Sequence, residues 1–154
     1  MKLFLIQHAK AASKDVDPQR SLTDEGRRDI QKVVAFIEAL NLKVDFLWHS
    51  GKTRAAQTAE VLSKVVKVRT QMTARDGLAP NDNVAALKDE LVSGGHDVMI
   101  VGHLPFLSKL GSLLLTGDES AGTVAFQNGG IVAFEQPAES HWQINWMVIP
   151  ELLA

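Results

Sequence analysis

The chain has 154 residues, 45% hydrophobic and 22% charged, with a formal net charge of -2 at pH 7 and no cysteine. That length suits one domain with a single core, and the composition is that of a globular protein rather than a disordered one. A near-neutral charge argues against a strongly basic nucleic-acid-binding surface, and the lack of cysteine excludes disulfide scaffolds, thiolate metal sites and cysteine nucleophiles.

Leu3–Ile6 is a short apolar run that reads as a strand buried on both faces. Gln7, His8 and Lys10 end it too early for a signal-peptide core, and no apolar run is long enough to span a bilayer. The cytoplasm is therefore the expected location, with no membrane or nucleic-acid partner. A polar loop through Asp15, Asp17 and Pro18 leads to Thr23, an N-cap candidate, with Asp24 and Glu25 suited to a helix's first turn. Ile30, Val33, Val34, Ile37 and Leu40 then mark one buried helical face. Val44–Trp48 reads as a second strand, and Ser50 opens a turn into a helix carrying Ala55, Ala59 and Leu62 on one side. Val65–Val68 is expected to be a third strand, at an edge because Lys67 interrupts it.

Asn81, Asp82 and Asn83 offer caps for a helix through Leu87 and Leu91. Val98–Val101 is the clearest buried strand, and Gly102–Pro105 turns from it into a helix over Phe106–Leu115. The rhythm then breaks into two strand-like runs, Gly130–Phe134 and Trp142–Val148, joined through Pro137–Ser140 like a hairpin. Trp142 and Trp146 have even spacing, which predicts that both face one side of the sheet and pack in the core. Asn128-Gly129-Gly130 reads either as a hairpin start with a left-handed glycine, the favoured reading, or as a turn aiming N–H groups at a pocket. Alternating strands and helices predict a three-layer α/β/α domain over residues 1–154, with a mainly parallel central sheet and a mixed edge.

In such sheets, ligands bind beyond the carboxyl ends of the strands. Three strand ends here carry reactive groups: Gln7-His8, His49-Ser50 and Gly102-His103. Arg54 lies at the start of the helix after Ser50, where free N–H groups and the helix dipole favour an anion. His8, His103 and Arg54 therefore form a constellation at one rim, whereas His49, His96 and His141 read as structural or surface residues. Gly51-Lys52-Thr53 echoes the end of a P-loop, but the glycine required five residues earlier is Phe46. The sequence contains no G-x-S-x-G elbow, G-x-G-x-x-G fingerprint or H-E-x-x-H pair.

Four segments, Leu3–Ala9, Arg20–Gly26, Ser50–Ala59 and Val101–Pro105, resemble the histidine phosphatase superfamily in order and spacing, specifically its small SixA-type phosphohistidine phosphatases. The resemblance implies a phosphoglycerate mutase-like fold and a phosphate pocket in which His8 attacks phosphorus and is regenerated by water. It further implies that His103 and Arg54 hold the transferring phosphoryl oxygens, that Arg20 lines the same pocket, and that no metal or cofactor is needed. Independently of any family, phosphoryl transfer depends on positioning and on fixed donors that stabilise charge on the equatorial oxygens.

The chain departs from the family at its first motif, which reads Gln7-His8-Ala9 in place of Arg-His-Gly. Gln7 still donates hydrogen bonds but brings no charge, and loss of one such donor commonly costs about 3 kcal/mol. Lys10 is the nearest cation in sequence that would restore it. Asp76 is the candidate general acid, with Asp82 second, and a phosphohistidine substrate makes that role less demanding because imidazole leaves readily. Two functions follow: a phosphatase acting on a phosphohistidine protein or a small phosphoester, or a phospho-ligand-binding module that has lost turnover.

Overall fold

The computed structural model describes residues 1–154. Six strands, β1 (Lys2–Gln7), β2 (Lys43–His49), β3 (Lys67–Ala74), β4 (Val98–Gly102), β5 (Ile131–Glu135) and β6 (Gln143–Val148), form one sheet in the order β3-β2-β4-β1-β5-β6. β1, β2, β3 and β4 run parallel, while β5 and β6 pair antiparallel at the C-terminal edge. Helices α1 (Asp24–Glu38) and α2 (Thr53–Leu62) bury Ile30, Ile37, Ala55 and Leu62 against one face of the sheet. On the other face, α3 (Val84–Gly94) and α4 (Phe106–Thr116) bury Leu87, Leu91, Phe106 and Leu110. Covered on both faces, β1 and β4 have no need of polar alternation, which is why they read as continuous apolar runs.

Local signals explain most boundaries. The Thr23 hydroxyl accepts a hydrogen bond from the Gly26 N–H at 3.0 Å, and the Asn83 side chain caps the Ala85 and Ala86 N–H groups of α3. Leu40, expected on the buried face of α1, lies beyond the helix end and is 45% exposed.

Two further expectations are corrected. The third strand spans Lys67–Ala74 rather than Val65–Val68, although it does lie at the sheet edge. The N–H groups of Val65 and Val66 turn back to the Leu62 carbonyl and finish α2, and Val66 is buried in the core. β3 itself is polar and exposed, so it carries no apolar period to read.

Trp142 and Trp146 pack on opposite faces of the sheet, Trp142 with the α3–α4 core and Trp146 against the α1–α2 core. Phe134 pairs with Ile144 but Ala133 with Trp146, so Asn145 is an extra residue in β6 and inverts the alternation.

Candidate active site

β2, β4 and β1 are neighbours, and their registers place Gln7 opposite Gly102 and His49 opposite Val101. The residues that follow, His8, His103 and Ser50, therefore emerge side by side at the carboxyl edge of the sheet. The His8 N–H donates to the Gly102 carbonyl at 3.1 Å, which continues the ladder one step past β1. The His8 and His103 rings stand 5.2 Å apart, centroid to centroid, tilted by 51°.

His8 is nearly buried, and its Nδ1 lies 2.7 Å from the Ala9 carbonyl oxygen. Only a ring N–H has a partner there, so Nδ1 carries the proton and Nε2 keeps its lone pair in the neutral ring. Burial holds the His8 pKa below the ordinary histidine value, aided by the Arg54 and Arg20 guanidiniums and opposed by the Ala9 carbonyl. The result is a neutral, oriented imidazole at neutral pH.

The surrounding backbone is fixed from three sides. The Thr58 hydroxyl accepts the Ala9 N–H at 3.0 Å and donates to the Arg54 carbonyl at 2.8 Å. The Asn128 amide donates to the His8 carbonyl at 3.0 Å, and the Gly129 N–H donates to the Gln7 carbonyl at 2.9 Å. Gly129 has a φ of +74°, and the Gly130 N–H is taken by the Gln127 carbonyl. This turn is therefore the left-handed hairpin start favoured from sequence, and its Gly129 and Gly130 N–H groups bond to the protein's own carbonyls.

His103 is 2% exposed, and its Nε2 lies 2.6 Å from the Ser50 hydroxyl. Burial pushes its pKa down to about 3, with the charges of Arg54, His8, Lys52 and Arg20 adding to the effect. At neutral pH it is an uncharged imidazole, not a cation. Arg54 and Arg20 supply the positive charge. The Arg54 pKa is lowered by burial and by the nearby Arg20 charge, so the two guanidiniums repel one another across the site. The chain's ion pairs engage Lys10, Arg69, Arg75 and His96, and neither Arg20 nor Arg54 has a carboxylate partner. Two adjacent cations held without a counter-charge make an environment suited to an anion.

Three of the four buried side-chain polar atoms that make no hydrogen bond in the protein belong here: Gln7 Oε1, Arg54 Nε and His103 Nδ1. Such atoms are rare in folded proteins, and their concentration here sets this edge of the sheet apart from the rest of the molecule. The helices provide a second sign. α1 and α3 are capped by side chains, whereas α2 and α4, which start just after Ser50 and His103, have no capping side chain. Both positive helix ends face this edge of the sheet.

Among the other residues singled out from sequence, Lys10 lies apart from this cluster, whereas Asp76 and Asp82 share a cleft with Ser50. The Lys10 ammonium pairs with Glu25 at 2.6 Å at the surface, so it does not replace the missing arginine charge. Asp76 is exposed on the wall of a cleft of about 490 Å³ that also includes Ser50 and Asp82. The Asp82 carboxylate is taken by the Ala79 N–H at 2.9 Å. Ala9 is accommodated in place of glycine because its φ is not positive.

Sequence reasoning did not assign roles to Ser50, Thr58 or Asn128. Ser50 had a signal in its position at a strand end, and Thr58 in lying one helical turn beyond Arg54. Asn128 was marked only as part of a turn, and its side-chain bond to the His8 carbonyl, 120 residues away, had no local signal.

A family model of the histidine phosphatase superfamily (branch 1) matches residues 3–82, just over half of the chain. No curated protein shows significant sequence similarity to it. Among solved structures, the protein histidine phosphatase SixA complexed with tungstate superposes with a TM-score of 0.83 at 22% identity, covering 99% of each chain. A phosphoserine phosphatase H9A mutant from Entamoeba histolytica, in complex with phosphoserine, superposes with a TM-score of 0.68 at 16% identity, covering 95% of each chain. The alpha-ribazole phosphatase from Shigella flexneri gives 0.72 at 15% identity, covering 94% of this chain and 95% of the other. At these identities the likeness is one of fold.

Proposed function

Because the chain belongs to the histidine phosphatase superfamily, branch 1, we propose that it is a metal-independent phosphatase that hydrolyses phosphohistidine in a protein, or a small phosphoester, through His8. The observation that carries this reading is the pair of guanidiniums, Arg54 and Arg20, lacking carboxylate partners beside a neutral His8 whose Nε2 is free. The Nε2 lone pair attacks phosphorus, the Nε2–P bond forms, and the substrate's P–N or P–O bond breaks. Water then adds to phosphorus, the Nε2–P bond breaks, and inorganic phosphate leaves with the transferred protons shared with solvent. Arg54, Arg20 and His103 hold the equatorial oxygens, and the guanidiniums take the charge-neutralising role that a metal fills in other phosphoryl-transfer sites. Gln7 contributes a neutral contact. Asp76 is the acid for ester substrates, while an imidazole that leaves already protonated makes little demand on it.

A domain of this size without large insertions leaves the rim open, which suits a histidine borne by another protein. No helix is long and apolar enough to cross a membrane. The test is hydrolysis of an aryl phosphate and of a phosphohistidine peptide in the presence of a chelator, with wild type and His8→Ala. Turnover that disappears with His8, and acid-labile phosphate trapped on wild type only, are the expected results. Gln7 favours a second reading, a phospho-ligand-binding module without turnover. Tight, Arg54-dependent phosphate binding with no hydrolysis of either substrate establishes that module and excludes the enzyme.

A further inference from the structure

Arg20 is the one charged member of the site carried by an irregular loop, and its backbone is left-handed, with φ +52°. An arginine in that region costs conformational energy and persists only where its surroundings hold it. Three successive N–H groups around it end on a single residue. Asp17 Oδ1 accepts from the Gln19 N–H at 3.0 Å, its carbonyl from the Arg20 N–H at 2.9 Å, and its Oδ2 from the Ser21 N–H at 3.0 Å. The loop is closed beyond them by the Ala12 N–H to the Ser21 carbonyl at 2.9 Å, and the Arg20 Nε donates to the Ala12 carbonyl at 3.2 Å. The guanidinium placed this way is close enough to depress the proton affinity of His8, Arg54 and His103.

We propose that Asp17 is a positioning residue that clasps residues 19–21 and so holds Arg20 in the left-handed conformation that delivers its guanidinium to the phosphoryl group. This rests on the reading above in which Arg20 binds phosphoryl oxygen. Asp17 itself contacts no substrate, since both carboxylate oxygens are turned to backbone amides. Those amides, Ser21 first and then Gln19, hold its carboxyl below the ordinary carboxylate value.

The test is calorimetric titration with inorganic phosphate of wild type, Arg20→Ala, Asp17→Ala, Asp17→Asn and the Asp17→Ala/Arg20→Ala double variant. Arg20→Ala is expected to weaken binding roughly tenfold or more, as loss of a charge-assisted pair does. Asp17→Ala should weaken it by a comparable factor although no positive charge is lost, and should add nothing in the double variant. Asp17→Asn, which keeps one acceptor oxygen, should recover part of the affinity. A clasp that served only folding would leave the affinity of folded Asp17→Ala at the wild-type value.

Wild-type affinity in Asp17→Ala with weakened binding in Arg20→Ala overturns the clasp and leaves the phosphate reading intact. Wild-type affinity in Arg20→Ala removes Arg20 from the site and overturns both. Should Asp17→Ala not fold, Asp17→Asn decides alone: undiminished affinity overturns the clasp, and weakening that disappears in the Arg20→Ala background supports it.

Discussion

Acidification should unfold this protein through His103, and the size of the effect follows from its burial. The folded-state pKa is about 3, whereas the unfolded chain takes up that proton near the ordinary histidine value of 6.5. Between those values the unfolded state binds one more proton than the folded state, so stability falls as pH falls through the window. The slope is about 1.4 kcal/mol per pH unit well inside it, and the integrated loss between pH 7 and pH 5 is about 2 kcal/mol. For a domain of this size that is a substantial share of the total. Below about pH 3 the folded state also protonates and this contribution stops changing.

Urea unfolding at half-unit pH intervals, for wild type and His103→Gln, isolates the contribution because the variant has no group titrating there. His8 shifts in the same direction for the same first reason, burial, and a His8→Gln variant separates its share. Saturating phosphate should flatten the wild-type slope, since an anion offsets the guanidinium charges that help suppress protonation. Parallel stability curves for wild type and His103→Gln between pH 7 and pH 5 would refute the reasoning.

Three further outcomes are expected. Gln7→Arg should raise turnover by about a hundredfold if the end of β1 contacts the phosphoryl group, and unchanged initial rates would remove Gln7 from the site. Thr58→Val keeps the shape but strands the Ala9 N–H, a group beside the nucleophile, and should cost about 1–3 kcal/mol in denaturant unfolding. An unchanged midpoint would show that this N–H finds another partner. Gly26→Ala sets a Cβ against the Lys10 backbone carbonyl, which cannot give way as a side chain does. A loss of about 1–3 kcal/mol should appear as a lowered melting temperature, and a wild-type melting temperature would contradict this close approach.

What the sequence determined by itself was carried by local or periodic signals. The apolar spacing of α1, the continuous runs of β1 and β4, and the Thr23 and Asn83 caps are satisfied within a few residues, so they are legible without the fold. The same logic put His8, His103 and Ser50 at strand ends, because a parallel sheet aligns its carboxyl ends at one edge. Tertiary structure decided whatever depends on a partner far along the chain. β3 was hidden because an edge strand with exposed faces needs no apolar pattern, only the hydrogen bonds of β2. The two tryptophans part company because one extra residue in β6 reverses a period of two, and nothing in the side chains announces a bulge. The uncharged state of His103, its bond to Ser50, and the anchoring of His8 by Asn128 are likewise products of burial and of contacts spanning 53 and 120 residues. Local sequence names the groups, but only packing sets the dielectric and the neighbours that determine their charge.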